Sequence, residues 1–111
     1  MMNDREANAI DFYWRPGCGF CMMLDRNLSK AGVELVKHNI WDNPADAATV
    51  RRHARGNETV PTVVIGDTAL VNPSADQVLA LVSEKAPQLL PEGWEPRGPR
   101  RKSAVRRMLG G

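Results

Sequence analysis

Residues 9–23 read AIDFYWRPGCGFCMM, and the parsing of this stretch decides the fold. Ala9 to Trp14 alternates Ile10, Phe12 and Trp14 with Ala9, Asp11 and Tyr13, the period-two pattern of a strand with one face more deeply buried. Pro16-Gly17 ends it. From Gly19 onward, Phe20, Met23, Leu24, Leu28 and Ala31 recur at steps of three and four with Asp25, Arg26, Ser29 and Lys30 between them, which predicts an amphipathic helix stopped by Gly32. Cys18 and Cys21 therefore fall where a strand hands over to a helix.

Downstream, Val33 to Ile40 reads as a second strand. Asn43-Pro44 with Asp46 gives a capped start to a helix running through Arg55 and ended by Gly56. After Pro61 come TVVI, the two-residue turn Gly66-Asp67 and a second apolar run, Thr68 to Val71, which together signal an antiparallel hairpin. Ser74 with Gln77 three positions on opens a last helix carrying Val78, Leu79 and Val82, with Asn72 before Pro73 as the competing cap. The order β-α-β-α-β-β-α implies an α/β domain in which helices cover a small central sheet. Parallel pairing of the first two strands across the first helix requires a right-handed crossover.

With 111 residues the chain suits one compact domain, and its 42% hydrophobic and 25% charged fractions match ordinary soluble proteins. No apolar run approaches the roughly 18 residues that span a bilayer. The amino terminus, MMNDREANAI, lacks the positive patch and apolar segment of a secretory signal, so a cytoplasmic protein is expected. Residues 1–86 hold 9 Lys and Arg against 11 Asp and Glu, net −2, whereas residues 87–111 hold 6 against 2, net +4. That composition shift places a domain over 1–86 and a basic, flexible Pro/Gly/Arg-rich tail over 87–111. The tail's cations read as solubilising rather than as a nucleic-acid surface, since Trp94 alone makes no stacking platform.

Cys18 and Cys21 are the only cysteines. In a reducing compartment a lone pair serves poorly as a permanent cross-link, and the loop it would close is too short to remove much unfolded-state entropy. A zinc site would need His38 and His53 as its second pair, and they lack zinc-finger spacing. Working chemistry fits better. Cys18 falls at the amino end of the first helix, where unpaired N–H groups and the helix dipole favour an anion. Arg15 adds positive charge, and Gly17 and Gly19 leave the sulfur open to another disulfide. Cys21 lies nearly one turn deeper, placed to resolve a mixed disulfide from within. His53, beside Arg51, Arg52 and Arg55, reads as a solvated basic face. His38 reads as a strand histidine with no assignable acidic partner, and Trp14 and Phe20 as core residues, Phe20 with a possible share in the partner surface.

The segments FYWRPGCGFC (12–21), TVPT (59–62) and VNPSAD (71–76) resemble, in this order, the motifs of glutaredoxins of the thioredoxin superfamily. Over roughly residues 8–86 the chain is most similar to the actinobacterial mycoredoxins. The resemblance implies a thioredoxin-like fold with a central mixed four-stranded sheet flanked by three helices. It further implies a monomeric thiol–disulfide oxidoreductase acting on mycothiolated or disulfide-containing proteins, with mycothiol or glutathione as co-substrate and no tightly bound cofactor or metal. Carried over by residue, Cys18 is the nucleophile and Cys21 the resolving cysteine. Pro61 is a cis proline facing them with the Val60 backbone, and Asn72, Ser74 and Asp76 join Arg15, Val60 and Pro61 around the low-molecular-weight thiol. Capping explains Ser74 and Asp76 equally well. Three departures stand out: Gly19 where many glutaredoxins carry Pro, Pro16-Gly17 where several mycoredoxins place an aromatic, and CGFC, one atom from the CGFS of iron–sulfur-carrying relatives. Two rival readings follow: a thioredoxin-like electron donor reduced directly by a flavoprotein reductase, and a carrier of a bridged iron–sulfur cluster.

Overall fold

The computed structural model describes residues 8–95. The elements are β1 (Ile10–Trp14), α1 (Gly19–Lys30), β2 (Val36–Asn39), α2 (Pro44–His53), β3 (Thr62–Ile65), β4 (Thr68–Val71) and α3 (Ala75–Lys85), followed by a short 3₁₀ turn at Pro87–Leu89. The sheet order is β2-β1-β3-β4, with β1 parallel to β2 and antiparallel to β3, and β3 antiparallel to β4. This is the mixed four-stranded sheet with three helices that the resemblance implies. None of the described helices is long and apolar enough to cross a membrane.

Side-chain alternation along β1 assigns the two faces. Ile10 and Phe12 are almost wholly buried, as residues on one face of a strand should be when a layer covers it. Tyr13 points the other way and stacks on His38 of β2, with ring centroids 4.6 Å apart and planes 18° from parallel. His38 Nδ1 lies 3.7 Å from Asp46 of α2, so α2 lies over this second face. α1 and α3 pack on each other, and their buried stripes of Leu24, Leu28, Val78 and Val82 meet the core that holds Phe12. Trp14, expected on the deep face, is only half-buried, whereas Tyr13 is buried. The reason is that α2 covers the second face as well, so period-two burial breaks down.

The helix boundaries follow from local chemistry. α1 ends in a Schellman motif: Val33 N–H donates to the Leu28 carbonyl and Gly32 N–H to that of Ser29, with Gly32 at φ 89°. Its buried residues are Cys21, Leu24 and Leu28. Phe20 and Met23 each sit one residue, about 100°, before a buried position and therefore face solvent, with Phe20 67% exposed. The core placement expected for Phe20 is corrected accordingly. α2 starts at the Asn43 cap, whose side chain accepts the Ala45 N–H. It ends at His53, two residues short of Arg55, because Arg55 already adopts the left-handed conformation at φ 57°. α3 opens with the full capping box of Ser74 and Gln77, so Asn72 is not its cap.

Packing does not stop at Ala86, the boundary suggested by composition. Ala86 is fully buried, and Leu89, Leu90 and Trp94 pack against the core. Pro91 comes so close to Gly32 that a Cβ there would lie 3.0 Å from the Pro91 ring. The remainder of the expected basic tail, residues 96–111, lies outside the described residues.

Among the described residues Phe12 is the largest wholly buried side chain. Phe12→Ala is expected to destabilise the protein by about 3–5 kcal/mol, whereas Val36→Ala, at an exposed β2 position, should change stability by less than about 0.5 kcal/mol. Urea unfolding followed by circular dichroism checks both.

Candidate active site

One end of the sheet gathers the chemistry. β1 and β2 run in parallel, so both release their chains there, into Arg15–Cys18 and into Ile40–Asn43. β3 runs against β1, with Thr62 opposite Tyr13, so Val60 and Pro61 arrive at that same end. β4 returns to it, with Val71 opposite Thr62, and delivers Asn72. Two loop hydrogen bonds tie these segments together: Ile40 N–H to the Trp14 carbonyl at 2.9 Å, and Asn72 N–H to the Pro61 carbonyl at 2.8 Å.

Cys18 is the N-cap of α1. Its backbone is extended (φ −95°, ψ 105°) and its Sγ accepts the Cys21 N–H at 3.1 Å, the position usually held by a serine, threonine or aspartate oxygen. Gly17 supplies the preceding bend at φ 79°, a conformation that a side chain would strain. Gly19 has no positive φ, and a Cβ there would meet nothing within 4 Å. The space at Gly19, the residue after Cys18, is therefore open. Both cysteines are free thiols, Cys18 8% and Cys21 2% exposed.

Facing Cys18, the Val60–Pro61 peptide bond is cis. The Val60 carbonyl lies 3.9 Å from Cys18 Sγ, within reach of a weak S–H donation. Thr62, wholly buried, donates its hydroxyl to the Thr59 carbonyl at 2.8 Å and so braces this segment. Asn72 takes the left-handed conformation at φ 55°, which asparagine tolerates better than most residues.

Burial pushes the Cys21 thiol up to about 12, helped by its hydrogen bond to Cys18 and by the Cys18 charge, while the Arg15 backbone and guanidinium pull the other way. Cys21 thus remains a protonated thiol at neutral pH. Of the residues singled out from sequence, Cys18, Cys21, Val60, Pro61 and Asn72 are joined by direct contacts, and half-buried Arg15 acts on Cys21 from the β1 end. The Ser74 hydroxyl is engaged in accepting the Gln77 N–H. Asp76 sits exposed in the first turn of α3, where a negative charge complements the helix dipole.

A cluster invisible to sequence reading lies on the α2 face. His38 Nε2 is 2.9 Å from Asp11 Oδ1, and its Nδ1 faces Asp46, so the histidine left without an acidic partner in the sequence has two. Burial, followed by the charges of Asp11 and Asp46, raises the Tyr13 phenol beside it. The cross-strand register, with Tyr13 opposite His38, was the missing signal.

A family model described as Glutaredoxin matches residues 10–70. The chain belongs to the glutaredoxin family. Among solved structures, this glutaredoxin is similar to the glutaredoxin-like NrdH-redoxin from Escherichia coli, described as having a thioredoxin-like activity profile. The TM-score is 0.56 at 26% identity, covering 65% of this chain and 92% of that one. It is similar also to the glutaredoxin from Brucella melitensis, with a TM-score of 0.53 at 27% identity over 77% of this chain and 90% of that one. The buckwheat glutaredoxin–glutathione complex, at 21% identity and a TM-score of 0.50 over 74% and 76% of the two chains, shares the fold. None of the curated proteins compared matches the chain.

The raised Cys21 value has a defined pH signature. The folded state keeps a proton that the unfolded chain gives up near the ordinary value of 9.0, so this contribution to stability is complete below about 9 and is lost as pH rises towards about 12. Ultraviolet thiolate absorbance of the reduced protein should show the second thiol titrating only as the pH approaches about 12. A second thiolate appearing near the ordinary cysteine value would contradict the burial argument.

Proposed function

We propose that this protein is a thiol–disulfide oxidoreductase that removes low-molecular-weight thiols from mixed disulfides, with Cys18 as nucleophile, Cys21 in reserve and mycothiol as the co-substrate. The observation that carries the reading is the Cys18 sulfur, which accepts the Cys21 N–H at the start of α1 and lies 3.9 Å from the Val60 carbonyl of the cis Val60–Pro61 segment. A sulfur held at an amide donor on a helix N-terminus is suited to negative charge, and the thiolate is the attacking species.

In the first step the Cys18 thiolate attacks the mycothiol-side sulfur of the mixed disulfide. The Cys18–mycothiol bond forms, the old S–S bond breaks, and the substrate leaves as a thiolate that takes up a proton. A second mycothiol thiolate then attacks the mycothiol sulfur on Cys18, giving mycothiol disulfide and restoring the Cys18 thiolate. Cys21 is a poor competitor for that second step because burial, the largest influence on it, persists while it waits as a thiol. Val60, Pro61 and Asn72, with Arg15, Ser74 and Asp76 at the margins, line one side of the space in which the co-substrate thiol lies. Mycothiol rather than glutathione rests on the likeness of FYWRPGCGFC, TVPT and VNPSAD to mycoredoxins. The cytoplasm is the compartment in which the two thiols stay reduced.

A second reading has its own support. The similarity to an NrdH-redoxin with a thioredoxin-like activity profile favours a donor reduced directly by a flavoprotein reductase, a route in which Cys21 is indispensable.

Turnover of a mycothiolated model substrate separates the two. Cys18→Ser should fall to the uncatalysed background, and Cys21→Ser should retain turnover of the same order as the unmodified protein when mycothiol is supplied. Loss of all activity in Cys21→Ser, together with reduction by thioredoxin reductase in the absence of added thiol, would favour the second route.

A further inference from the structure

Trp41 is 65% exposed, yet its backbone is held firmly. Its N–H donates to Asn39 Oδ1 at 2.9 Å, and Asp42 N–H donates to the Asn39 carbonyl at 3.0 Å. This is an Asx turn closing on a backbone turn, a local lock that asparagine builds well. Ile40, the preceding residue, is hydrogen-bonded to Trp14, the last residue of β1 before the Arg15–Cys18 bend. A large flat side chain is thus displayed at the end of the sheet that holds Cys18. It lies on the β2 side of that bend, opposite the side occupied by Val60, Pro61 and Asn72.

Charge at this end is unbalanced. The segments that build it, residues 15–18, 40–46, 59–61 and 72–76, carry one cation, Arg15, against three anions, Asp42, Asp46 and Asp76. Asp46 is turned towards His38, while Asp42 and Asp76 are exposed. A net-anionic peptide thiol such as glutathione meets mostly like charge here. An uncharged thiol carried on a sugar does not, and the apolar face of a sugar ring covers an indole well, because the indole is rigid and loses little freedom on contact.

The geometry points to Trp41 as the platform on which the sugar portion of the co-substrate thiol stacks, with Asp42 disfavouring anionic thiols, so that this edge selects a neutral, carbohydrate-bearing thiol over a peptide thiol. The inference rests on the oxidoreductase reading above and adds to it the specificity determinants, which no cysteine supplies.

The test is the selectivity ratio, kcat/KM with mycothiol divided by kcat/KM with glutathione, measured on one mixed disulfide for the unmodified protein, Trp41→Ala, Trp41→Phe and Asp42→Asn. A ratio cancels differences in the amount of folded enzyme. Trp41→Ala should lower it roughly three- to tenfold, the range expected for loss of one aromatic contact, and Trp41→Phe should recover most of the loss. Asp42→Asn should lower it by improving the glutathione arm. An unchanged ratio in Trp41→Ala, or equal losses in both arms, overturns the platform while leaving the oxidoreductase reading intact. Absence of turnover with either thiol in the unmodified protein overturns both.

Discussion

Strand β1 lies between a parallel and an antiparallel neighbour, and its backbone ladder determines where every segment around Cys18 comes to rest. Parallel pairing sends the chain out of β2 beside the chain leaving β1. Antiparallel pairing brings Val60 and Pro61 in at that same end, and the hairpin into β4 returns Asn72 to it. The register is strongly specified because each face of β1 has its own cover: Ile10 and Phe12 meet the core shared with α1 and α3, and Tyr13 meets His38 and α2. A slip of one residue would exchange these sets between the faces. No single loop makes this site; the ladder does.

Within that frame one atom has two duties. Cys18 Sγ satisfies an otherwise unpaired amide at the start of α1, and it is also the atom to which we assign nucleophilic attack. The two duties are compatible because both call for electron density on the sulfur. Cys21 is one helical turn on, on the stripe that also buries Leu24 and Leu28. The burial that anchors α1 to the core is therefore the same burial that keeps Cys21 protonated. Fold stability and the division of labour between the thiols share a cause.

The α2 side carries a second kind of information. Its part-buried polar cluster of Asp11, Tyr13, His38 and Asp46 ties the sheet to α2, and the Asn39 turn that leads to the Asn43 cap displays Trp41. The placement of α2 and the shape of the edge beside Cys18 are thus linked through a few residues of one connection. Glutaredoxin relatives share the frame at TM-scores of 0.53 to 0.56 with little more than a quarter of their residues identical. Differences in co-substrate are accordingly sought in these connections and not in the sheet.

Much of this was legible in the sequence, because the relevant physics is local. Alternation in AIDFYW, the bend at Pro16-Gly17, the Asn43 and Ser74 caps and the Gly66-Asp67 turn each depend on residues close in the chain, and together they determine the element order and the place of both cysteines. Other features depended on neighbours distant in sequence. Tyr13 is buried because α2 covers its face, Phe20 is exposed because the helix rotates it away from the Cys21 stripe, and His38 has two acidic partners through cross-strand pairing and helix packing. The packing of residues 87–95 was masked by their tail-like composition, although Leu89, Leu90, Pro91 and Trp94 meet the body. The sequence by itself determined the order of the elements and which thiol stands at a helix start, since capping and periodicity act over a few residues. Only the tertiary structure decided which faces are covered, how deeply Cys21 is buried and what surrounds Cys18, since burial and electrostatics are set by whatever the folded chain brings near.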